Sequence, residues 1–485
     1  MTERGLFIDG QWRTARSRDR TEICDPATGE PVGGSALAGA ADVDDAVAAA
    51  VHAQDGWRRL HASVRADVLH DAAERIVARA DDIAVTLTRE QGKPVADSRK
   101  EILFGADVLH YYAEEVCRLG GSVRASSRSD VKSLVTYAPV GVVGAIVPWN
   151  YPVDLYCWKV APALAAGCAV IAKPPPETPL AIAEVVECLD EAGVPPGVLA
   201  DLPGGVAAGE RLVAHPDVRM ITVTASTATG RQVMRAASEG VKRLSLELGG
   251  HTPFVVLEDA DVEVAAAGAV RRSFSNMGQI CIAVNRVLVA DRVADHFVEA
   301  LAARTRGLVL GHGTDDGVGY GPVLNAAVRE RAERHVRDAV ARGGRLVVGG
   351  DRPRGEEFDH GTFYLPTVID DVPASAAVLT EETYGPVAAV HRCPDDLALL
   401  AATNALPYGL AAYVYSSDLE RAWAFADEVE AGAVGINVND VTELQAPFGG
   451  WKLSGFGREL GPEGLQTYLE PRHIRMRVRP LRADD

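Results

Sequence analysis

Positive charge is in short supply. Lys and Arg number 49 against 67 Asp and Glu, a formal net charge of −18. That balance argues against nonspecific binding to nucleic acid or to an anionic membrane, both of which call for a basic face. Long apolar runs are missing too. The longest, residues 160–172, contains Pro162 and at about 13 residues is too short to span a bilayer. The opening MTERGLFIDGQW has no basic stretch followed by an apolar one, so no secretory signal is visible and a cytoplasmic location is expected. The seven cysteines (24, 117, 157, 168, 188, 281, 393) form no C-x-x-C pair. An odd, dispersed set reads as reduced thiols, most of them buried and one a candidate nucleophile. No metal site is expected. There is no fixed-period repeat, no low-complexity tract, and no G-x-G-x-x-G behind a strand. With 47% hydrophobic and 24% charged residues among 485, disorder, collagen and a disulfide miniprotein are excluded. Two or three domains around a large core are expected.

Helices are expected through most of residues 1–120. Val43, Ala46, Val47, Ala50 and Val51 repeat at helical spacing behind Asp42, an expected N-cap. Ser63 is expected to cap a second helix running to Ala80. A third should stop at Gln91-Gly92-Lys93-Pro94, and a fourth, over 97–119, at Gly120-Gly121. Beyond Lys132 the sequence becomes β-branched and is broken by Pro139 and Gly141, so extended strands are expected, with 134–143 an apolar strand suited to the arm. Strands at 144–147, 169–172, 198–202, 220–223 and 243–246 alternate with helical segments. This is a βαβ series, hence a parallel sheet covered on both faces. Strands near 254–257, 287–289 and 409–415 imply a second α/β unit. The tail 472–478 alternates charged and apolar residues, as an edge or interface strand does.

Several stretches carry chemistry. Cys281 follows Asn-x-Gly-Gln, a polar approach unsuited to a core strand but suited to a reactive thiol. Glu247 ends an apolar strand and precedes two glycines. It reads either as an exposed strand-end carboxylate or as a general base at the ligand-binding edge of a sheet. Asn150 sits between prolines in PWNYP, 148–152, a turn that can also hold an amide toward an oxyanion. Lys173 and the run from Thr224 through Ser226 to Gly230 follow two further strands, where helix amides and hydroxyls favour a nucleotide crevice.

Together these stretches resemble the NAD(P)-dependent aldehyde dehydrogenase superfamily, in its hydrolytic, non-acylating branch, over nearly the whole chain. The resemblance rests on PWNYP, the KP…TP loop at 173–179, LELGG at 246–250, FSNMGQIC at 274–281, EETYGPV at 381–387 and PFGGWKLSGFGRELG at 447–461. It implies an α/β fold with a Rossmann-like nucleotide-binding domain (1–121 and 140–250) and an α/β catalytic domain (251–447). A β oligomerisation arm (122–139 and 465–485) would form a homodimer or homotetramer. It implies oxidation of an aldehyde to the acid through a cysteine thiohemiacetal and thioester, with hydride passing to NAD(P)+. Cys281 is then the nucleophile, Glu247 the general base and Asn150 the oxyanion donor. Ile146, Pro148, Trp149, Lys173, Pro176, Gly205, Gly209, Ser226, Gly249, Glu382 and Tyr384 become cofactor positions. Leu155, Trp158, Ile280, Ile282, Thr442 and Phe448 line the aldehyde pocket. Lys159 and Glu459 fall on a proton path.

The sequence departs from the family in the adenosine half. Pro176 stands where the family's loop carries the Glu that accepts from ribose hydroxyls and repels a 2′-phosphate, with Glu177 following. NADP is therefore expected to be tolerated or preferred, with Lys173 pairing the phosphate. Ala225 replaces a glycine beside the pyrophosphate position. Trp158 replaces the arginine of succinate-semialdehyde relatives, which argues against a dicarboxylic semialdehyde and for an aromatic or medium aliphatic aldehyde. Asp154, Asp440 and Glu443 would suit a cationic aldehyde, or are solvated rim charges. Two alternatives stay open: a catalytically silent binding protein of this fold, and a cysteine esterase without cofactor.

Overall fold

The computed structural model describes residues 2–478. Its centre is an eight-stranded sheet in the order Gly455–Phe456, Arg243–Glu247, Met220–Thr224, Val142–Ile146, Ala169–Lys173, Leu199–Asp201, Leu6–Ile8, Gln11–Arg13. The five inner strands run parallel and both outer margins are antiparallel. Ala169–Lys173 is almost wholly buried, as a strand with helices on both faces must be. From Val142–Ile146 the chain winds outward in one direction through 169–173 and 199–201. It then returns to add 220–224 on the other side. That reversal opens a crevice at the carboxyl ends of Val142–Ile146 and Met220–Thr224, where doubly wound sheets take ligands.

A second, seven-stranded sheet has the order Arg345–Val348, Thr367–Asp370, Val387–Cys393, Arg286–Ala290, Pro253–Val256, Ala411–Tyr415, Ala433–Ile436, with only the first pair antiparallel. A three-stranded antiparallel sheet joins Ser122–Arg124, Val131–Pro139 and Leu469–Arg477. Residues 479–485 of the expected arm lie outside the described residues.

The structure corrects several expectations. Residues before Ala40 are strands, not helix: Asp9 and Gly10 both take positive φ and close a tight hairpin between Leu6–Ile8 and Gln11–Arg13, the turn that Asp-Gly favours. Gly39, not Asp42, caps the helix Ala40–Arg59. The Asp42 carboxylate instead accepts the Gly39 N–H (2.9 Å) from the third helical position. His61, not Ser63, caps Ala62–Ala78. The third helix does stop at Gly92, whose φ of 99° is the left-handed cap only glycine adopts freely. The stretch 134–143 is not one strand. Gly141 (φ 118°) turns the chain, so Val131–Pro139 joins the small sheet and Val142–Ile146 the large one. Arg345–Val348, Thr367–Asp370, Val387–Cys393 and Ala433–Ile436 were not anticipated. Nor was the return of Gly455–Phe456, from beyond residue 447, to the first sheet.

Candidate active site

Two cavities of about 340 Å³ each meet at Cys281, which lies on the wall of both. The first opens at the crevice of the eight-stranded sheet. All the residues named above for a cofactor line it, apart from Gly205 and Gly209, which line an adjoining cavity of about 530 Å³ that shares Ile146, Lys173 and Pro176. Ser226 ends its strand's loop and caps the helix Thr227–Ser238, its Oγ accepting the Thr229 N–H at 3.2 Å. Helix amides there face the cleft, a setting for an anion. Lys173 Nζ donates to the carbonyls of Gly204 (2.6 Å) and Pro174 (3.1 Å), and burial pulls its pKa down to about 8 against the opposing pull of Glu177 and Asp201. The loop beyond Lys173 is anchored by Glu90, whose buried carboxylate accepts the N–H groups of Leu180 (2.7 Å) and Ala181 (2.9 Å) at the start of the next helix.

The two glycines after Glu247 have a steric reason. A Cβ on Gly249 would stand 3.0 Å from the Glu382 carboxylate, and one on Gly250 would stand 2.7 Å from the Cys281 carbonyl. Glu382 accepts the Gly250 N–H (3.3 Å), and burial raises its pKa. Tyr384 meets Trp149 edge-on at 5.5 Å.

The second cavity holds all six residues named for an aldehyde, together with Asn150. Trp158 meets Phe448 edge-on at 5.2 Å and Phe104 at 6.3 Å. The acidic residues there carry no free charge. Asp154 accepts from Trp158 Nε1 (2.6 Å), and burial holds its carboxyl well above the usual range. Asp440 pairs with Arg272 at 2.6 Å, and Glu443 does not line the cavity. Sequence reasoning missed Phe104, Tyr151 and Arg271 here, and Arg331 in the cofactor cavity. Phe104, on the helix Val95–Arg118, and Arg331 sit far from any motif and gave no signal.

Cys281 is delivered by a sharp turn. Asn276, Met277 and Gly278 take φ of 46°, 53° and 71° in succession. Burial, then Glu247 and Glu382, push its thiol pKa up to about 12. Asn150 is buried; its Nδ2 donates to the Gln279 carbonyl (3.1 Å) and its Oδ1 has no partner. Glu247 closes the strand Arg243–Glu247 and lines neither of these two cavities. Its buried carboxyl is raised by desolvation and then by Glu459, against Lys159. Lys159 pairs with Glu459, and its Nζ also donates to Thr224 Oγ1 (2.6 Å).

The model of the aldehyde dehydrogenase family matches residues 12–474. The chain belongs to this family. It is 39% identical to the glutarate-semialdehyde dehydrogenase of Pseudomonas aeruginosa over 96% of both chains. It is likewise 39% identical to the NADP(+) succinate-semialdehyde dehydrogenase of Escherichia coli, again over 96% of both. The crystal structure of a succinate-semialdehyde dehydrogenase from Burkholderia pseudomallei superposes with a TM-score of 0.96 at 39% identity, over 98% of each chain. The protein is thus an NAD(P)-dependent oxidoreductase that converts an aldehyde to its acid through a cysteine thiohemiacetal and thioester. Nothing in the dehydrogenase's structure favours a silent binding protein or a cofactor-free esterase. Among the described residues no helix is long and apolar enough to cross a membrane, and no cluster of three metal-ligating side chains occurs.

Proposed function

We propose that Cys281 is the nucleophile, Asn150 the oxyanion donor and Glu247 the general base of this dehydrogenase. The observation that carries this is the place of Cys281 on the common wall of an aldehyde-sized cavity and a cofactor-sized one. Cys281 first gives its thiol proton to the Glu247 carboxylate; the sulfur then attacks the aldehyde carbon and a C–S bond forms. The negative oxygen is met by the second N–H of Asn150 Nδ2, the first staying on the Gln279 carbonyl, and by the Cys281 N–H. A bound nicotinamide ring supplies the acceptor for the hydride that leaves that carbon. Glu247 then takes a proton from the water that attacks the thioester; the acid departs and the thiolate is restored. Lys159 and Glu459, whose charges act on the buried Glu247 carboxyl, would take up and carry away each proton that Glu247 accepts.

The donor set fits a dinucleotide. Ser226 and the helix behind it suit the pyrophosphate, Glu382 the nicotinamide ribose, and Trp149 and Tyr384 the ring. Gly249 leaves room that a Cβ would fill. At the adenosine end Pro176 offers neither the hydrogen bonds nor the repulsion of a carboxylate, so we expect NADP to be tolerated or preferred, with Lys173 facing the 2′-phosphate.

The Phe104–Trp158–Phe448 aromatic set favours an aldehyde with an apolar or aromatic body. A second reading, a body that ends in an anion, is favoured by Arg271, which lines the same cavity and forms no ion pair among the described residues. It also agrees with the semialdehyde names of the relatives. The domains follow the boundaries given above. The edge strand Leu469–Arg477 leaves Ile474 and Met476 exposed, which suits extension of a partner's sheet in a dimer or tetramer.

The test is an aldehyde panel incubated with NAD or NADP, read at the absorbance of the reduced nicotinamide. Cys281→Ala should abolish the signal, a loss of about 10⁴-fold or more. Activity surviving in that variant refutes the nucleophile assignment. The panel, run with benzaldehyde, hexanal and succinate semialdehyde, ranks the two substrate readings.

A further inference from the structure

Asn150 is held by groups to which the mechanism above gives no part. Its backbone carbonyl accepts two hydrogen bonds, from Lys93 Nζ (2.7 Å) and Asn276 Nδ2 (2.9 Å), which together fill both lone pairs. Each donor is itself fixed. Lys93, fully buried, pairs with buried Glu101 and lies 3.9 Å over the Tyr151 ring. Asn276 Oδ1 accepts from Gln91 Nε2 (2.9 Å), and Gln91 Oε1 accepts the Lys93 N–H (3.0 Å). Glu101 Oε1 closes the arrangement by accepting the N–H groups of Val153 (3.0 Å) and Asp154 (3.3 Å), in the first turn of the helix after Asn150.

Stability does not account for this arrangement. Desolvating a buried Lys–Glu pair costs about as much as the pair returns, and well-packed apolar residues often do as well. What the ring of side chains determines is the orientation of the peptide between Asn150 and Tyr151, and with it the direction of the Asn150 amide. We infer that Lys93, together with Glu101 and Asn276, is a positioning residue that holds Asn150 in the orientation from which its amide meets the oxyanion. The inference rests on Asn150 being that donor. A misplacement of about 1 Å at such a group costs about 100-fold in rate.

The test is a double-mutant cycle on the full-length enzyme, read as the single-turnover rate of reduced-nicotinamide formation. Lys93→Met is combined with Glu101→Gln so that no buried charge is left alone. This pair should slow the step about 10–100-fold when Asn150 is present. In an Asn150→Ala background it should change the rate by less than about twofold. The rate of Cys281 alkylation by iodoacetamide should stay the same. Equal slowing in both backgrounds, or alkylation falling in parallel, overturns the inference and leaves the Asn150 assignment intact. An unchanged rate in Asn150→Ala alone removes the assignment itself, and the inference with it. Should the Lys93 variant not fold, Asn276→Asp takes its place in the same cycle. It tolerates the left-handed backbone at 276 and removes the Nδ2 donor.

Discussion

The two large sheets meet the site with opposite ends. The eight-stranded sheet contributes residues at or just past the carboxyl ends of its strands: Trp149 and Asn150 after Ile146, Lys173 at a strand's last position, Ser226 just past Thr224, Glu247 at the end of its own. The seven-stranded sheet contributes residues ahead of its strands: Cys281 before Arg286–Ala290 and Glu382 before Val387–Cys393. The backbone differs accordingly. At these positions the first side is relaxed and supplies the Asn150 amide, a lysine and the Glu247 carboxylate. The second holds left-handed non-glycine residues, Asn276 and Met277 ahead of Cys281 and Tyr384 behind Glu382, and supplies the thiol and a carboxylate. Strain of about 1–3 kcal/mol per such residue persists only where the surrounding structure enforces it. Here it lies on the side that carries the proposed nucleophile.

That division can be broken one wall at a time. The largest effect after loss of the thiol should come from Asn150→Ala, which lowers the hydride step about 10²–10³-fold. Binding of NAD(P)H, read by fluorescence, should not change, because Asn150 lines the aldehyde cavity alone. Pro176→Glu should lower kcat/KM for NADP relative to NAD by about 10–100-fold, since it sets a carboxylate where a 2′-phosphate is expected. Aldehyde KM should hold. If the parent enzyme rejects NADP outright, the role given to Pro176 fails. Trp158→Arg should move kcat/KM from hexanal toward succinate semialdehyde by about tenfold, with cofactor constants unmoved. The smallest effect is one of pH. Burial brings the Lys173 pKa down to about 8, so the ammonium is present below pH 8 and is lost above it. KM for NADP should rise severalfold from pH 7 to pH 9 while KM for NAD stays flat.

Much of the site was legible because its residues are local punctuation. Prolines bound Asn150, glycines come after Glu247, and a polar turn precedes Cys281; each announces a backbone that is neither helix nor ordinary strand. The βαβ strands of the first sheet were legible as short apolar runs. The first strands of the chain were not, because Leu6–Ile8 is stabilised by pairing with Leu199–Asp201, nearly two hundred residues away. Caps were misplaced by two or three positions for a similar reason: Asp42 and Ser63 carry the right chemistry but act from inside the first turn. The support under Asn150 was invisible, since Lys93 looks like a solvated residue of a helix stop and Glu101 like a surface charge on a helix until tertiary packing buries them against each other.

Cys281 stands in the wall between two chambers, so on the proposed reading the acid forms on one side of the thiol and the reduced nicotinamide on the other. The acid should then compete with fresh aldehyde but not with fresh nicotinamide cofactor, a pattern that product-inhibition kinetics reads directly.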